Sequence, residues 1–127
     1  MKIRHITLLA VFVGAALGAL GSEALRAQAP APAFVVGEID VENGPAYFKE
    51  YVPIAAKAVV DGGGKYIVRN GKSVSLYGEP PKALAIMQFE SLAKAEAAFA
   101  SKAYTDAKAI GDKYAKFRVY AVEGLSQ

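Results

Sequence analysis

The sequence predicts an α+β fold, with four strands in one sheet and two helices on one of its faces. Strand-like and helix-like segments follow one another in the order strand, helix, strand, strand, helix, strand. Each helix connects two strands of the same sheet, and the right-handedness of such connections places both helices on the same side. Residues 34–127 have the length of one small domain, so a single core is expected.

Residues 1–29 have the features of a cleavable export signal. Lys2 and Arg4 precede an apolar run from residue 6 to residue 20, and Ala27-Gln28-Ala29 supplies the small residues that a signal peptidase requires. An uncleaved membrane anchor is the alternative, but it needs about 20 apolar residues. We therefore expect a periplasmic or secreted protein with no membrane contact after cleavage, in which a tether of residues 30–33 precedes the domain.

The composition excludes several kinds of chemistry. The chain has no cysteine and no tryptophan, and its one histidine, His5, lies in the leader. Asp40 with Glu42 does not make the dense acidic loop of a calcium site. The net charge of +3 falls to about +1 without the leader, and the remaining lysines are scattered. We expect no metal, no cofactor and no nucleic acid partner.

The first half of the domain contains one strand and one helix. Ala33 to Val41 alternates between two faces, as a strand does. Asn43-Gly44-Pro45 opens a helix, because Asn caps free N–H groups and Pro is tolerated at the first helical position. Pro53 interrupts the apolar stripe of this helix and predicts a kink or a break. Asp61-Gly62-Gly63-Gly64 ends the helix.

A predicted hairpin follows. Lys65 to Arg69 alternates as a strand, and Asn70-Gly71 predicts a tight turn that leads into a further strand segment over Ser73–Tyr77. Glu79-Pro80-Pro81 then breaks the chain. Ala83 to Phe89 is apolar enough for a central strand.

The last third contains a divided helix and a strand. Ser91 caps a helix, and Ser101 separates it from a second helical piece over Lys102–Tyr114. The final strand is predicted over Phe117–Glu123, where apolar and polar residues alternate.

The sheet face without helices is too apolar to remain in water. It carries Phe34 and Val36 from the first strand, together with Leu84 and Ile86 from the third. We expect a homodimer in which two such faces cover each other.

Several segments in residues 34–127 together resemble the small bacterial family named domain of unknown function 1330. The segments are Gly37-Glu38-Ile39-Asp40-Val41, Tyr47 with Tyr51, Gly62-Gly63-Gly64-Lys65-Tyr66-Ile67-Val68-Arg69, Gly78, Phe89-Glu90-Ser91, Phe99 to Tyr104, and Val122-Glu123-Gly124-Leu125. The resemblance implies a ferredoxin-like βαββαβ subunit that pairs into a dimeric α/β barrel. Cofactor-independent monooxygenases and muconolactone isomerases share this architecture, but the family itself has no established reaction.

The chain departs from the family pattern at four positions that are expected to line the barrel. The family usually has an aromatic residue at Ala98, a carboxylate at Gln88, an arginine at Ala83 and another near Gly111. These departures weaken a catalytic role or indicate an altered ligand.

Glu38 is the candidate catalytic residue. It shares one face of the first strand with Asp40, about 6–7 Å away, a separation that acid–base carboxylate pairs use. A Glu38 enclosed in the barrel would act as a proton acceptor. A structural ion pair with Arg69 or Lys65 is the alternative.

Six residues are candidates for ligand binding: Arg69, Tyr47, Tyr51, Tyr66, Gln88 and Tyr104. Arg69 would hold a ligand carboxylate through its bidentate fork, and the tyrosines would donate hydroxyl groups. Ordinary amphipathic packing would produce the same tyrosine spacing.

Three functions stay open at this point. The first is an exported homodimer that binds a small apolar or aromatic molecule in the barrel. The second is a cofactor-independent monooxygenase- or isomerase-like enzyme, in which Glu38 is the base and Arg69 orients an anionic substrate. The third is a structural or interaction dimer with a solid core. A hollow interior would separate the first two from the third.

Overall fold

The computed structural model describes residues 31–126, and the predicted signal peptide, residues 1–29, lies outside them. The elements are β1 (Ala33–Val41), α1 (Gly44–Ala46), a π-helical turn (Tyr47–Tyr51), α2 (Val52–Asp61), β2 (Lys65–Arg69), β3 (Ala83–Phe89), α3 (Leu92–Ala100), α4 (Lys102–Gly111) and β4 (Ala115–Glu123).

The four strands form one antiparallel sheet in the order β2-β3-β1-β4. Along β1, Val35 and Ile39 are buried beneath the helices, whereas Phe34 and Val36 are only partly covered on the opposite face. The predicted α+β fold, with both helices on one face, is confirmed. We call the face beneath the helices the helix face and the other the open face.

The core lies between the helix face and the helices. Its most deeply buried large side chains are Val35, Val59 and Phe89. The glycine turn after α2 brings the chain close to this core: a Cβ added to Gly64 would lie 2.6 Å from the Phe89 ring. Gly63 has φ +95, which a residue with a side chain rarely adopts, so the predicted helix end is confirmed.

The helical backbone changes its pitch just before Pro53. The N–H of Val52 donates to the Tyr47 carbonyl, five residues back, which defines a π-helical turn. Pro53 has no N–H to donate, and its ring would crowd the carbonyl of Lys49 in a regular α-helix. The predicted kink or break is thus a widened turn, and Tyr47 and Tyr51 are its buried residues.

Serine caps separate the last two helices as predicted. The Ser91 Oγ accepts from the Lys94 N–H, and the Ser101 Oγ accepts from the Tyr104 N–H. Ser101 itself has ψ 153, which ends α3 and turns the chain into α4. The second helical piece ends at Gly111, three residues earlier than predicted, and β4 starts at Ala115 rather than Phe117.

The strand predicted over Ser73–Tyr77 is wrong. These residues lie in an exposed loop, the β2–β3 loop, in which Tyr77 is fully exposed. Arg69 pairs with Ala85, so a continued ladder would set Ser73 and Val74 opposite Pro81 and Pro80. Prolines have no N–H to donate to a ladder, so pairing ends after the Asn70 N–H bonds the Leu84 carbonyl.

Candidate ligand-binding site

A cavity of about 220 Å³ lies between the helix face of the sheet and the helices. Its floor comes from all four strands, and its walls come from the π-helical turn, α2, α3 and α4. The lining residues are Gly37, Ile39, Tyr47, Phe48, Tyr51, Val52, Ala55, Val59, Tyr66, Arg69, Asn70, Ala85, Met87, Phe99, Tyr104, Phe117 and Val119. The domain is therefore hollow on its helix side.

The hollow arises from one row of residues across the sheet. Arg69, Ala85, Gly37 and Val119 are successive cross-strand partners. The two central positions of the row are Ala85, with only a methyl group, and Gly37, with no side chain, so nothing fills the space above them. Adding a Cβ at Gly37 would bring it no closer than 3.7 Å to its nearest neighbour, the Ala85 carbonyl oxygen, so the glycine leaves room rather than relieving a clash.

Three tyrosines from the helices wall the cavity. The hydroxyls of Tyr51 and Tyr104 lie 3.4 Å apart and share a hydrogen bond. The rings of Tyr47 and Tyr51 lie 5.1 Å apart, and the Tyr51 ring is also 5.1 Å from that of Phe117. The π-helical turn thus places two phenols, four residues apart in sequence, on one side of the cavity.

Burial raises the pKa of every tyrosine in this wall. Burial, with the Tyr66 and Tyr104 phenols nearby, raises the pKa of Tyr47 to about 12, although the Arg69 guanidinium opposes the change. Burial is also the main cause of the raised pKa of Tyr51, to which the Tyr104 phenol adds. Burial raises the pKa of Tyr104, although its hydrogen bond to Tyr51 lowers it in part. These phenols are therefore neutral at pH 7 and able to donate.

Arg69 and Tyr66 enter the cavity from the edge strand β2. Tyr66 pairs with Met87, Val68 with Ile86 and Arg69 with Ala85, so the register shifts between Tyr66 and Val68. This β-bulge inserts one residue and returns Arg69 to the face that Tyr66 occupies. Burial raises the pKa of Tyr66, and the neighbouring Arg69 guanidinium lowers it in part.

Arg69 is the only charged residue in the lining of the cavity. Within residues 31–126 the ion pairs all involve other cations, so no carboxylate neutralises this guanidinium there. Asn70, beside it, has φ 52 and also lines the cavity. The β2 side of an otherwise uncharged cavity therefore carries a positive charge.

Two of the sequence candidates lie elsewhere. Glu38 pairs with Leu84 and Arg118, and Gln88 pairs with Phe34, which places both on the open face. The Glu38 carboxylate lies 3.5 Å from Arg118 Nε, so the predicted ion pair with Arg69 or Lys65 is wrong. Glu38 and Arg69 are separated by the sheet and do not converge on one site.

The four departures from the family pattern also lie outside the cavity lining. Ala98 faces the glycine turn, where a Cβ on Gly62 would come within 2.6 Å of it. Gly111 lies against Tyr51, and a Cβ added there would be 2.6 Å from the ring. None of these positions lines the helix-side cavity, although Gly111 supports one of its walls, and their predicted place in the barrel stays a prediction.

Sequence reasoning missed several residues of the site. Gly37 and Ala85 form the floor, and Phe48 and Asn70 lie at the Arg69 end. The only local signal was a glycine in the middle of an apolar strand, which often marks a close approach of a ligand or of another backbone.

The sequence profile of the family described as domain of unknown function (DUF1330) matches residues 32–125. The chain belongs to the DUF1330 family. The resemblance that its motifs indicated is thereby confirmed. No curated protein sequence matches this DUF1330 chain.

Solved structures share the fold of this DUF1330 domain. A protein of unknown function from Rhodopseudomonas palustris superposes with a TM-score of 0.60 at 15% identity, over 76% of this chain and 85% of that one. SnoaB, a cofactor-independent oxygenase from Streptomyces nogalater, superposes with a TM-score of 0.55 at 10% identity, over 76% of this chain and 96% of that one. At such identities the likeness shows the fold alone.

The described part of the DUF1330 domain has neither a cluster of metal-binding side chains nor a membrane-spanning helix. Among residues 31–126 there is no group of three or more His, Cys, Asp or Glu side chains placed to hold a metal ion. In the same range, no helix has the length and apolar character needed to span a membrane.

Proposed function

We propose that this DUF1330 protein binds a small apolar or aromatic molecule in the cavity on its helix side. The observation that carries the proposal is the cavity itself, about 220 Å³ in volume, with aromatic walls and a few polar groups in its lining. Binding sites for small molecules commonly combine apolar walls with a small number of placed polar groups.

The volume limits the size of the ligand. A cavity of about 150 Å³ lined by apolar side chains is known to hold benzene. The cavity of about 220 Å³ therefore suits one aromatic ring with one or two short substituents. Ring-sized ligands also match the aromatic wall, because tilted and edge-on contacts between rings add to the burial of apolar area.

The helix-side cavity gives no support to an enzyme with Glu38 as base. Glu38 lies on the open face, where the sequence placed it, and no carboxylate lines the helix-side cavity. The likeness to SnoaB concerns the fold and does not supply a base. We therefore assign binding to the cavity and no reaction.

We also propose that the protein acts as an exported homodimer. Its open face carries Tyr120 and Val122, which are 44% and 51% exposed, beside the partly covered Phe34, Val36 and Ile86. A second copy would cover this face without closing the cavity, which is on the other side of the sheet. The export proposal rests on the leader, and protein recovered from the exported fraction should begin at Pro30 if cleavage follows Ala29.

Ligand binding is tested by thermal stability with a panel of single-ring compounds, including toluene, benzyl alcohol and benzoate. A ligand that binds only the folded state raises the melting temperature, and the rise should grow with ligand concentration. Gly37→Val fills the cavity and should abolish this rise. Gly71→Val is the matched control, because a Cβ at Gly71 meets nothing within 4 Å.

Two results would count against the proposal. One is a panel in which no compound raises the melting temperature of the wild type. The other is a rise that Gly37→Val leaves intact, which would place the compound outside the cavity.

A further inference from the structure

We infer that the ligand of this cavity carries an oxyanion, and that a small aromatic carboxylate is bound with its carboxylate against Arg69. The inference rests on the proposed binding function and adds the chemical class of the ligand. Three features of the site point to it.

The first feature is the convergence of hydrogen-bond donors. Tyr47, Tyr66, Tyr104 and Arg69 all line the same cavity, and the Arg69 guanidinium lies over the Tyr66 ring. Only one hydroxyl proton is used between Tyr51 and Tyr104, since a single hydrogen bond joins them. The Tyr47 and Tyr66 hydroxyls, and those guanidinium N–H groups of Arg69 that do not contact the Tyr66 hydroxyl, can donate to one guest.

The second feature is the lack of a negatively charged acceptor in the lining. Arg69 is the only charged residue in the lining, and Asn70 is the only other polar residue there besides the tyrosines. Within residues 31–126 no ion pair uses the guanidinium of Arg69. A guest that supplies a negative charge and accepting oxygens would complete this arrangement, because a carboxylate matches the fork of a guanidinium.

The third feature is the orientation of Arg69. Regular alternation along β2 would place it on the face opposite Tyr66, but the β-bulge turns it onto the helix face. Its guanidinium carbon lies 4.2 Å from the centroid of the Tyr66 ring, so the ring holds the cation at the edge of the cavity. Bulges that re-aim a side chain in this way are frequent beside functional sites.

The floor then fixes the direction of the guest. Ala85 and Gly37 continue the row that begins at Arg69, and they leave free space above them. A ring whose carboxylate contacts Arg69 would lie over this free space, against the wall formed by Tyr51 and Phe117.

The experiment compares benzoate with benzamide, which has almost the same shape and no charge. Dissociation constants are measured at pH 7 by calorimetry for the wild type, for Arg69→Gln and for Lys65→Gln. Lys65 is the matched control, because it lies on the same strand but pairs with Gln88 on the open face. We expect the wild type and Lys65→Gln to bind benzoate about tenfold or more tightly than benzamide, and Arg69→Gln to bind the two almost equally.

Tyr47→Phe gives an independent measurement. It removes one donor and keeps the ring, so benzoate binding should weaken several-fold while the affinity for toluene stays unchanged.

The inference is overturned if the wild type binds benzamide as tightly as benzoate, or if Arg69→Gln keeps the preference. In either case the proposed binding function would still stand if toluene binds the wild type and Gly37→Val abolishes that binding. If toluene, benzamide and benzoate all fail to bind the wild type, both the oxyanion inference and the binding function are refuted.

Discussion

The guanidinium carbon of Arg69 lies 4.2 Å above the centroid of the Tyr66 ring, although the two residues are three positions apart in the same strand. In a regular strand such residues face opposite sides. The shift in register between Tyr66 and Val68 brings them together and gives the cavity its only charged lining residue. One inserted residue in an edge strand therefore decides the electrostatics of the site.

Replacement of Arg69 should change the titration of the nearby tyrosines. The guanidinium lowers the pKa of Tyr66 and opposes the rise in that of Tyr47, so Arg69→Gln should move both pKa values upward. Near-ultraviolet absorbance during an alkaline titration measures the change. Lys65→Gln is the control: Lys65 lies on the other face of β2, so this variant should titrate like the wild type. If Arg69→Gln also titrates like the wild type, the guanidinium does not face the phenols.

Alkaline pH should destabilise the fold through the buried tyrosines. The pKa of Tyr47 is about 12 in the folded state, against 10.0 for a free phenol. As pH rises above 10 the unfolded chain loses these protons while the folded chain keeps them, so the free energy of unfolding falls. The slope approaches about 1.4 kcal/mol per pH unit for each such tyrosine.

Urea unfolding at several pH values between 9 and 12 measures this slope. Tyr47→Phe should make it shallower. Tyr77→Phe is the control, because Tyr77 is fully exposed in the β2–β3 loop. Equal slopes in Tyr47→Phe and the wild type would contradict the prediction.

The hydrogen bond between Tyr51 and Tyr104 should contribute modestly to stability. Its oxygens are 3.4 Å apart, longer than the range of about 2.5–3.0 Å that is usual for a bond between hydroxyls. Tyr51→Phe and Tyr104→Phe should each lower the free energy of unfolding by about 0.5–1 kcal/mol, and the double variant should lose less than the sum. Denaturant unfolding at pH 7 provides the double-mutant cycle, and strictly additive losses would show that the hydroxyls are not coupled.

Gly111→Ala should destabilise the protein, although Ala normally favours a helix over Gly by about 1 kcal/mol. The added Cβ would lie 2.6 Å from the Tyr51 ring and 3.0 Å from that of Phe117, and both rings are packed in the wall. We expect a net loss of about 1–2 kcal/mol together with weaker ligand binding. Gly44→Ala, whose Cβ would meet nothing within 4 Å, should be neutral or slightly stabilising in the same thermal unfolding experiment.

The proposed dimer should depend on the middle of the open face. Val36 is paired with Ile86 and Tyr120 on that face, so Val36→Glu would place a charge between two apposed sheets. Sedimentation equilibrium at micromolar concentration should give twice the subunit mass for the wild type and the subunit mass for Val36→Glu. Val60→Glu, on an exposed position of α2, should stay dimeric. A monomeric wild type would refute the proposed dimer but would not affect the proposal that the cavity binds a ligand.

Much of the fold followed from local patterns. The predicted limits of β1, β2 and β3 agree with the structure, and Ser91 and Ser101 cap the helices that were expected to follow them. Alternation also assigned Glu38 to the face of Phe34 and Val36. These features depend on residues close in sequence, because strand alternation and helix capping are satisfied within a few positions.

The location of the site did not follow from such patterns. The pocket between two sheets that the sequence predicted stays a prediction, whereas the observed cavity lies beneath the helices of one domain, and Gln88 and Glu38 face away from it. The hairpin predicted across Asn70-Gly71 did not form, because β2 pairs with β3 instead, and the β2–β3 ladder cannot continue past Asn70, where Pro80 and Pro81 would have to pair.

The sequence by itself determined which segments are strands and helices, and which neighbouring residues share a face. Only the tertiary structure decided that Arg69, Ala85, Gly37 and Val119 form one row, and that a bulge turns Arg69 toward the tyrosines. The reason is physical: alternation repeats every two residues within one strand, whereas register is set between strands that are distant in sequence, and a shift of one residue changes the face on which a side chain lies.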